Sequence, residues 1–258
     1  PFKADALDKL QQEKIISILC KAGLWPTLRR RPFSKIAEPD CSPKSIFISA
    51  MSTAPFSVDL EIILKNTTQE VIQAGINVLN ALTEGHINLV RPKAVQNPKL
   101  LKLKNVQHHT YVGPHPAGNT GIHVSHIDPI KNKDDIIWYL SIQDILSIGS
   151  LFLTGKVNNK KIITVAGSAV LKKQHYKINR GTLISQILSN NEVEDNARII
   201  SGDILSGNTS NMDSALGFYH ESVTIIPDLP KRSFMGWISP GFSKYSLSNA
   251  FLSKLLPY

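Results

Sequence analysis

The sequence predicts two units. An α/β doubly wound sheet covers residues 1–155, and an α+β unit of β-grasp type with a carboxyl-terminal extension covers residues 156–258. Three observations carry this. Short apolar runs alternate with amphipathic helical segments through the first unit. After Gly155 the order changes to strand, strand, short helix, strand. The 258 residues, with 42% hydrophobic and 19% charged side chains, suffice for one large or two modest ordered domains.

Each element has its own signal. In residues 5–21, Leu7, Leu10, Ile15, Ile18 and Leu19 recur at helical spacing, and Gly23 stops the run. Residues 25–39 read as a loop-rich connector. Residues 45–50 form a short apolar run suited to a buried parallel strand, with residues 51–55 as the loop at its carboxyl end. Residues 67–82 predict a helix with Thr67 as N-cap, Glu70 completing a capping box and Gly85 closing the end. Strands are expected at 87–91, 106–112 and 136–140, and a helix at 141–153 that ends at Gly155. In the second unit, strands are expected at 161–167, 176–179, 198–201 and 221–226, with a short helix at 182–188 capped by Thr182.

Composition narrows the function. No apolar run approaches the ~20 residues of a membrane-spanning helix, and the first residues are not a signal peptide. A start at Pro1 reads as a piece of a longer chain. Two cysteines, Cys20 and Cys41, read as reduced thiols of a cytosolic protein. The net charge of +9 is uneven. Residues 85–127 hold no acid but contain Arg91, Lys93, Lys99, Lys102 and Lys104. Past Asp228 the only charged residues are Lys231, Arg232, Lys244 and Lys254, and Arg29, Arg30 and Arg31 form a third basic point. Basic faces suit anionic lipid, nucleic acid or acidic protein surfaces. No zinc-finger, RNP or helix-turn-helix signature accompanies them, so no nucleic-acid partner is expected.

Residues 113–129 pack three Gly, three Pro and three His into seventeen positions, and five of the eight histidines lie between His108 and His126. Such density predicts a shaped loop rather than a helix interior or central strand. His123 and His126 are expected on opposite faces of extended chain, with only Asp128 near as a further ligand. A structural zinc site shows four clear ligands, so no metal is expected. Gly118 and Gly121 lack the GxGxxG order and the helix start of a dinucleotide site. No nucleophile elbow and no paired carboxylates appear. The stretch from Gly23 to Lys35 places Trp25 and Phe33 around three arginines. It reads either as a core-anchored loop with solvated charge or as a ligand or subunit contact.

Taken in order, many pieces resemble the NqrA family, one of the subunits of the sodium-translocating NADH:quinone oxidoreductase. They include Gly23-Leu-Trp25, Arg31-Pro-Phe-Ser-Lys35, Ala81-Leu-Thr-Glu-Gly85, Gly113-Pro-His-Pro-Ala-Gly118, Gln143-Asp144, Leu151-Phe-Leu-Thr-Gly155, Tyr219-His220, and Gly236-Trp237 with Pro240-Gly241. The resemblance implies a Rossmann-like domain, related to the flavin-binding subunit of respiratory complex I, followed by an SLBB-type β-grasp domain. It implies further regions before and after this chain. It also implies a peripheral subunit on the cytoplasmic face of the bacterial inner membrane. Expected partners are the other subunits of the complex, including membrane-embedded ones, together with ubiquinone and the anionic membrane surface. NADH oxidation and flavins belong to other subunits in that complex, so no cofactor is expected here. Arg29 to Lys35 stand near where the complex I relative holds FMN on a glycine-rich loop, and bulky side chains there bar the close backbone approach. The family's His-x-His pair is kept at His123, while Ser125 stands at the second position. Quinone or partner contact is assigned to Trp25, Arg29, Arg31, Phe33, Lys35, His115, Gly118, Gly121 and His123, with no catalytic residue and no metal ligand.

Overall fold

The computed structural model describes residue 2 and residues 10–228. The early part of the expected first helix lies outside these residues. So do the basic segment past Asp228 and the family pieces at Gly236 and Pro240. No helix among the described residues is long and apolar enough to cross a membrane.

The first sheet has six strands: β1 (Arg29–Arg31), β2 (Lys35–Ile36), β3 (Ser45–Ser49), β4 (His86–Pro92), β5 (Gln107–Tyr111) and β6 (Ile137–Ser141). Their spatial order is β2-β1-β6-β3-β4-β5. β6, β3, β4 and β5 run parallel, while β1 and β2 add an antiparallel edge. Reading from β5, the parallel strands follow the chain order 3-2-1-4. The order therefore reverses between β3 and β6, the switch point where doubly wound sheets form a crevice.

Period-two alternation divides the sheet into two apolar faces. Ile46, Ile48, Leu89, Trp138 and Leu140 pack in the main core with α1 (Gln12–Lys21), α2 (Leu60–Lys65), α3 (Gln69–Asn80) and α6 (Ile142–Thr154). Phe47, Val90 and Ile137 point the other way and meet Val124 of α5 (Thr120–Ile127). A short α4 (Pro98–Leu101) links β4 to β5. α6 starts at a complete capping box, in which the Ser141 hydroxyl receives the Asp144 N–H while the Asp144 carboxylate accepts from the Ser141 N–H. It ends at Gly155 with φ 73°.

The second sheet has the order β10-β9-β11-β7-β8, from β7 (Lys160–Ala166), β8 (Gln174–Asn179), β9 (Ala197–Ser201), β10 (Asn208–Ser210) and β11 (Ser222–Pro227). β7 and β11 are parallel and the other pairs antiparallel. Ile184 and Ile187 of α7 (Ile184–Ile187) cover Ile163, Val165, Val223 and Ile225. Such a two-sheet, mixed α/β architecture is what the sequence predicts.

Several local expectations change. The connector at 25–39 holds a 3-10 turn (Trp25–Thr27) and the β1–β2 hairpin, because arginines at an edge strand escape a pattern rule built on apolar alternation. The loop at 113–129 contains α5, since its prolines and Gly113 lie before the helix or past its end, leaving only Gly121 inside. His123 and His126 are therefore one turn apart on a helix and not on opposite faces of a strand. The first helix opens at Gln12, with Leu10 and Gln11 outside it. α3 is capped by Thr68, whose hydroxyl accepts from Val71 N–H, so neither Thr67 nor a Glu70 capping box is used. Leu183 occupies the N-cap of α7, and the Thr182 hydroxyl instead donates to the Asn179 carbonyl at 2.7 Å. α2, α4 and β10 carry too few residues for a periodic signal.

Candidate functional site

The loops at the carboxyl ends of β3, β5 and β6 border a 660 Å³ crevice at the switch point. Its walls include Ser49 to Ser52, Asn119 to Gly121, Tyr139, Ser141 and, from the second unit, Ser206 and Glu221. Both units thus contribute to one cleft. It continues into a 130 Å³ recess lined by Arg29, Tyr139, Lys161, Phe218, Tyr219 and Glu221, among others.

β1 supplies the cations. Residues two apart on a strand share a face, so Arg29 and Arg31 turn together toward Tyr139, at 5.4 and 5.9 Å from guanidinium carbon to ring centre. The Arg29 guanidinium also lies 4.3 Å from the ring of Tyr219. Its Nε and Nη2 donate to the Ser34 carbonyl at 3.2 and 2.7 Å, and Arg31 Nη1 donates to the Ser34 hydroxyl at 3.0 Å. Arg30 points to the opposite face and pairs with Glu38 at 2.7 Å. Among the described residues, neither Arg29 nor Arg31 forms an ion pair with a carboxylate.

Gly118 to Gly121 form a further wall. Gly118 is buried and its N–H donates to the Thr53 hydroxyl at 2.9 Å; a Cβ there would stand 2.6 Å from Thr53 N. His115 is exposed, with Nδ1 3.2 Å from the same hydroxyl. A Cβ on Gly121 would collide with the Arg31 guanidinium. His123 is buried, its Nε2 2.8 Å from the Ala117 carbonyl and its ring 4.7 Å from that of Tyr111. That contact makes Nε2 the protonated nitrogen and leaves the buried Nδ1 without a partner among the described residues. Burial pushes the His123 pKa below its ordinary 6.5, and nearby His126 and His109 push the same way. The His126 ring also stacks on Tyr111, with ring centres 6.1 Å apart.

The remaining predicted residues separate. Trp25 is buried, donates its indole N–H to the Ala37 carbonyl at 2.8 Å and meets Trp138 edge-on at 5.6 Å, so it serves the core. Phe33, 81% exposed, stands at the hairpin tip with φ 72°, and Lys35 is exposed on β2. Arg29, Arg31, Gly118 and Gly121 come together at the crevice. Trp25, Phe33, Lys35, His115 and His123 do not line it.

A constellation between the units escaped the sequence. Asp144 and Arg180 pair at 2.6 Å with side chains only 10% and 9% exposed. Lys161 donates to the Phe218 carbonyl at 3.3 Å and lies 3.8 Å from Glu221. Burial lowers the Lys161 pKa while Glu221 opposes it; burial raises the Glu221 pKa while Lys161 opposes it. Gln143 exchanges two hydrogen bonds with the Ile162 backbone, at 2.9 and 2.8 Å, and the Tyr219 hydroxyl donates to the Pro26 carbonyl at 2.9 Å. These partners are far apart in sequence and carry no spacing signal. Only Gln143-Asp144 and Tyr219-His220 stood out, through the family resemblance. Among the described residues, the one grouping of three potential metal ligands is the surface set Glu38, Asp40 and Cys41.

Residues 10–157 match the family described as NqrA second alpha/beta domain, and residues 162–211 match the NQRA C-terminal domain. Relatives that carry the name of the NqrA subunit of the Na(+)-translocating NADH-quinone reductase include that of Histophilus somni strain 2336, 37% identical over 97% of this chain and 56% of its own length. Those of Psychromonas ingrahamii and Neisseria meningitidis serogroup B are 35% and 34% identical over 98% and 99% of this chain, and 56% and 57% of theirs. The chain thus spans little more than half the length of these curated relatives. Among solved structures, an air-oxidised NAD+-reducing [NiFe]-hydrogenase aligns with TM-score 0.59 and 11% identity, covering 87% of this chain and 49% of that one, a likeness of fold. By sequence over nearly its whole length, the chain belongs to the NqrA family of the Na+-translocating NADH-quinone reductase.

Proposed function

We propose that the chain is the central, Rossmann-like plus SLBB part of the NqrA subunit of a sodium-translocating NADH:ubiquinone reductase. It sits peripherally on the cytoplasmic face of the bacterial inner membrane. There it joins the other subunits, membrane-embedded ones included, and helps to form the region that meets ubiquinone. NADH oxidation takes place elsewhere in the complex. The observation that carries this reading, beside the family, is the crevice shared by both units at the switch point. Its aromatic and cationic lining from Tyr139, Tyr219 and Arg29 suits a flat ring bearing carbonyl oxygens. The exposed Phe33 and Lys35 on the hairpin suit contact with a partner or with anionic lipid.

The chain holds no flavin in this reading. The close backbone approach that a flavin ring needs is blocked: the space a Cβ would take is filled by Thr53 at Gly118 and by the Arg31 guanidinium at Gly121. The residues therefore do not fit the group that the complex I relative carries.

Two measurements test the proposal. The purified chain mixed with NADH and a quinone is expected to show no turnover, and turnover would overturn the assignment of oxidation to other subunits. In assembled complex, a photoreactive quinone analogue is expected to label the crevice around Arg29, Tyr139 and Gly118 to Gly121, with competition by unlabelled quinone. If Arg31→Ala changes assembly while quinone affinity and labelling at the crevice are both absent or unaltered, the chain is a scaffold without its own ligand.

A further inference from the structure

We infer that the guanidinium groups of Arg29 and Arg31 form, within the crevice, a binding site for a phosphate group. Both lie on one face of β1 and line the crevice, and neither meets a carboxylate among the described residues. They are held forward by Ser34, a neutral acceptor that leaves their charge uncompensated. Arg31 reaches the first turn of α5, where its guanidinium lies against Gly121. That turn contains no acid and its N-cap residue Asn119 makes no side-chain cap. The N–H groups of Thr120 and Gly121 have no acceptor among the described residues. Two cations beside the positive end of a helix repel one another and the helix end, and an anion between them relieves all three.

The two acids in the crevice walls do not fill this role. The Asp59 carboxylate accepts from Glu61 N–H at 2.9 Å as the cap of α2, and Glu221 faces Lys161. The guanidinium N–H groups of Arg29 and Arg31 that Ser34 leaves free, together with two amides, present more donors than a carboxylate has lone-pair sites to use. A phosphate, with three terminal oxygens and up to two charges, matches them. The phosphate belongs either to a soluble phosphate monoester or to a phospholipid headgroup. This inference concerns a ligand of the chain itself and stands whether or not a quinone enters the same crevice.

The test uses the 258-residue chain and inorganic phosphate, followed by amide NMR at Thr120, Gly121 and Ile122. Saturable shifts at these amides are expected, with Arg31→Gln raising the dissociation constant about tenfold. Arg31→Lys, which keeps the charge and loses the fork, is expected to fall between. Lys177→Gln, on β8 of the second unit, is expected to match the unmodified chain, and thermal unfolding confirms that each variant is folded. A parallel arm mixes the chain with vesicles containing an anionic phospholipid. Loss of vesicle binding in Arg31→Gln, with competition by inorganic phosphate, assigns the site to a headgroup. Saturation by phosphate without vesicle binding assigns it to a soluble monoester. No saturable shift at α5, or equal affinity in Arg31→Gln and Lys177→Gln, overturns the site.

Discussion

His123 shows how a residue that invites a chemical role can be committed to structure. It is buried, donates to the Ala117 carbonyl, and packs against Tyr111 with His109 and His126 close by. Its folded pKa lies below the ordinary 6.5 of the unfolded chain. Between those two values the unfolded chain binds more protons, so stability rises with pH there and is lost as pH falls below about 6.5. His109 and His220 are depressed mainly by burial too and add in the same direction. Urea unfolding at pH 7.5 and at pH 5.5 is expected to show lower stability at the acidic pH, with a smaller difference in His123→Gln. An unchanged pH difference in that variant would remove His123 as a contributor. The sequence exposed the histidine cluster but not its burial, because a lone histidine on a helix shows neither its depth nor its partner. The same blindness hides the depth of Trp25, whose ring packs in the core.

At the scale of elements, the long segments were legible and the short ones were not. β3, β4, β6, α3 and α6 combine apolar pattern with caps, and each is found near its expected place. α5 was hidden by the glycines and prolines that border it, and the β1–β2 hairpin by its arginines. The crossing of the long helices could be read only from the fold. α3 and α6 meet at Gly75 and Gly149: a Cβ on Gly75 would stand 2.7 Å from the Ile145 carbonyl, and one on Gly149 would strike the Val71 carbonyl. Backbone cannot yield as a flexible side chain does. Gly149→Ala is therefore expected to destabilise by about 1–3 kcal/mol despite its better helix propensity. Ser150→Ala, the neighbouring position on the same helix, is expected to change stability by no more than about 0.5 kcal/mol. Thermal or urea unfolding of the pair decides it, and equal stabilities would show that the helices separate without strain.

For the whole molecule the question is what joins the two units. The second unit closes the crevice with Ser206 and Glu221, and a deeply buried ion pair spans the joint. Asp144 sits in the first turn of α6, and Arg180 follows β8. The pair is asymmetric. Without Arg180, the Asp144 carboxylate still accepts from the Ser141 N–H at 3.1 Å and from its hydroxyl at 2.8 Å. Without the Asp144 charge, Arg180 keeps a side chain 9% exposed, with Nε and Nη1 lacking a hydrogen-bond partner among the described residues, the Phe218 ring 5.0 Å away, and only the longer-range charge of Glu221 to offset its own. Stranding a buried charge costs about 3–5 kcal/mol, whereas removing the cation and leaving a hydrogen-bonded carboxylate costs less. Asp144→Asn, which keeps the capping acceptor, is thus expected to be the more damaging change, and Arg180→Met the milder. The double variant is expected to recover part of the Asp144→Asn loss, because the orphaned cation is gone. Amide hydrogen exchange at Trp138 and Val223 reports the two units separately. In Asp144→Asn their opening free energies are expected to diverge, as the units begin to open independently. Equal losses in the two single variants would show that the joint rests instead on Gln143 and the Tyr219 contact with Pro26.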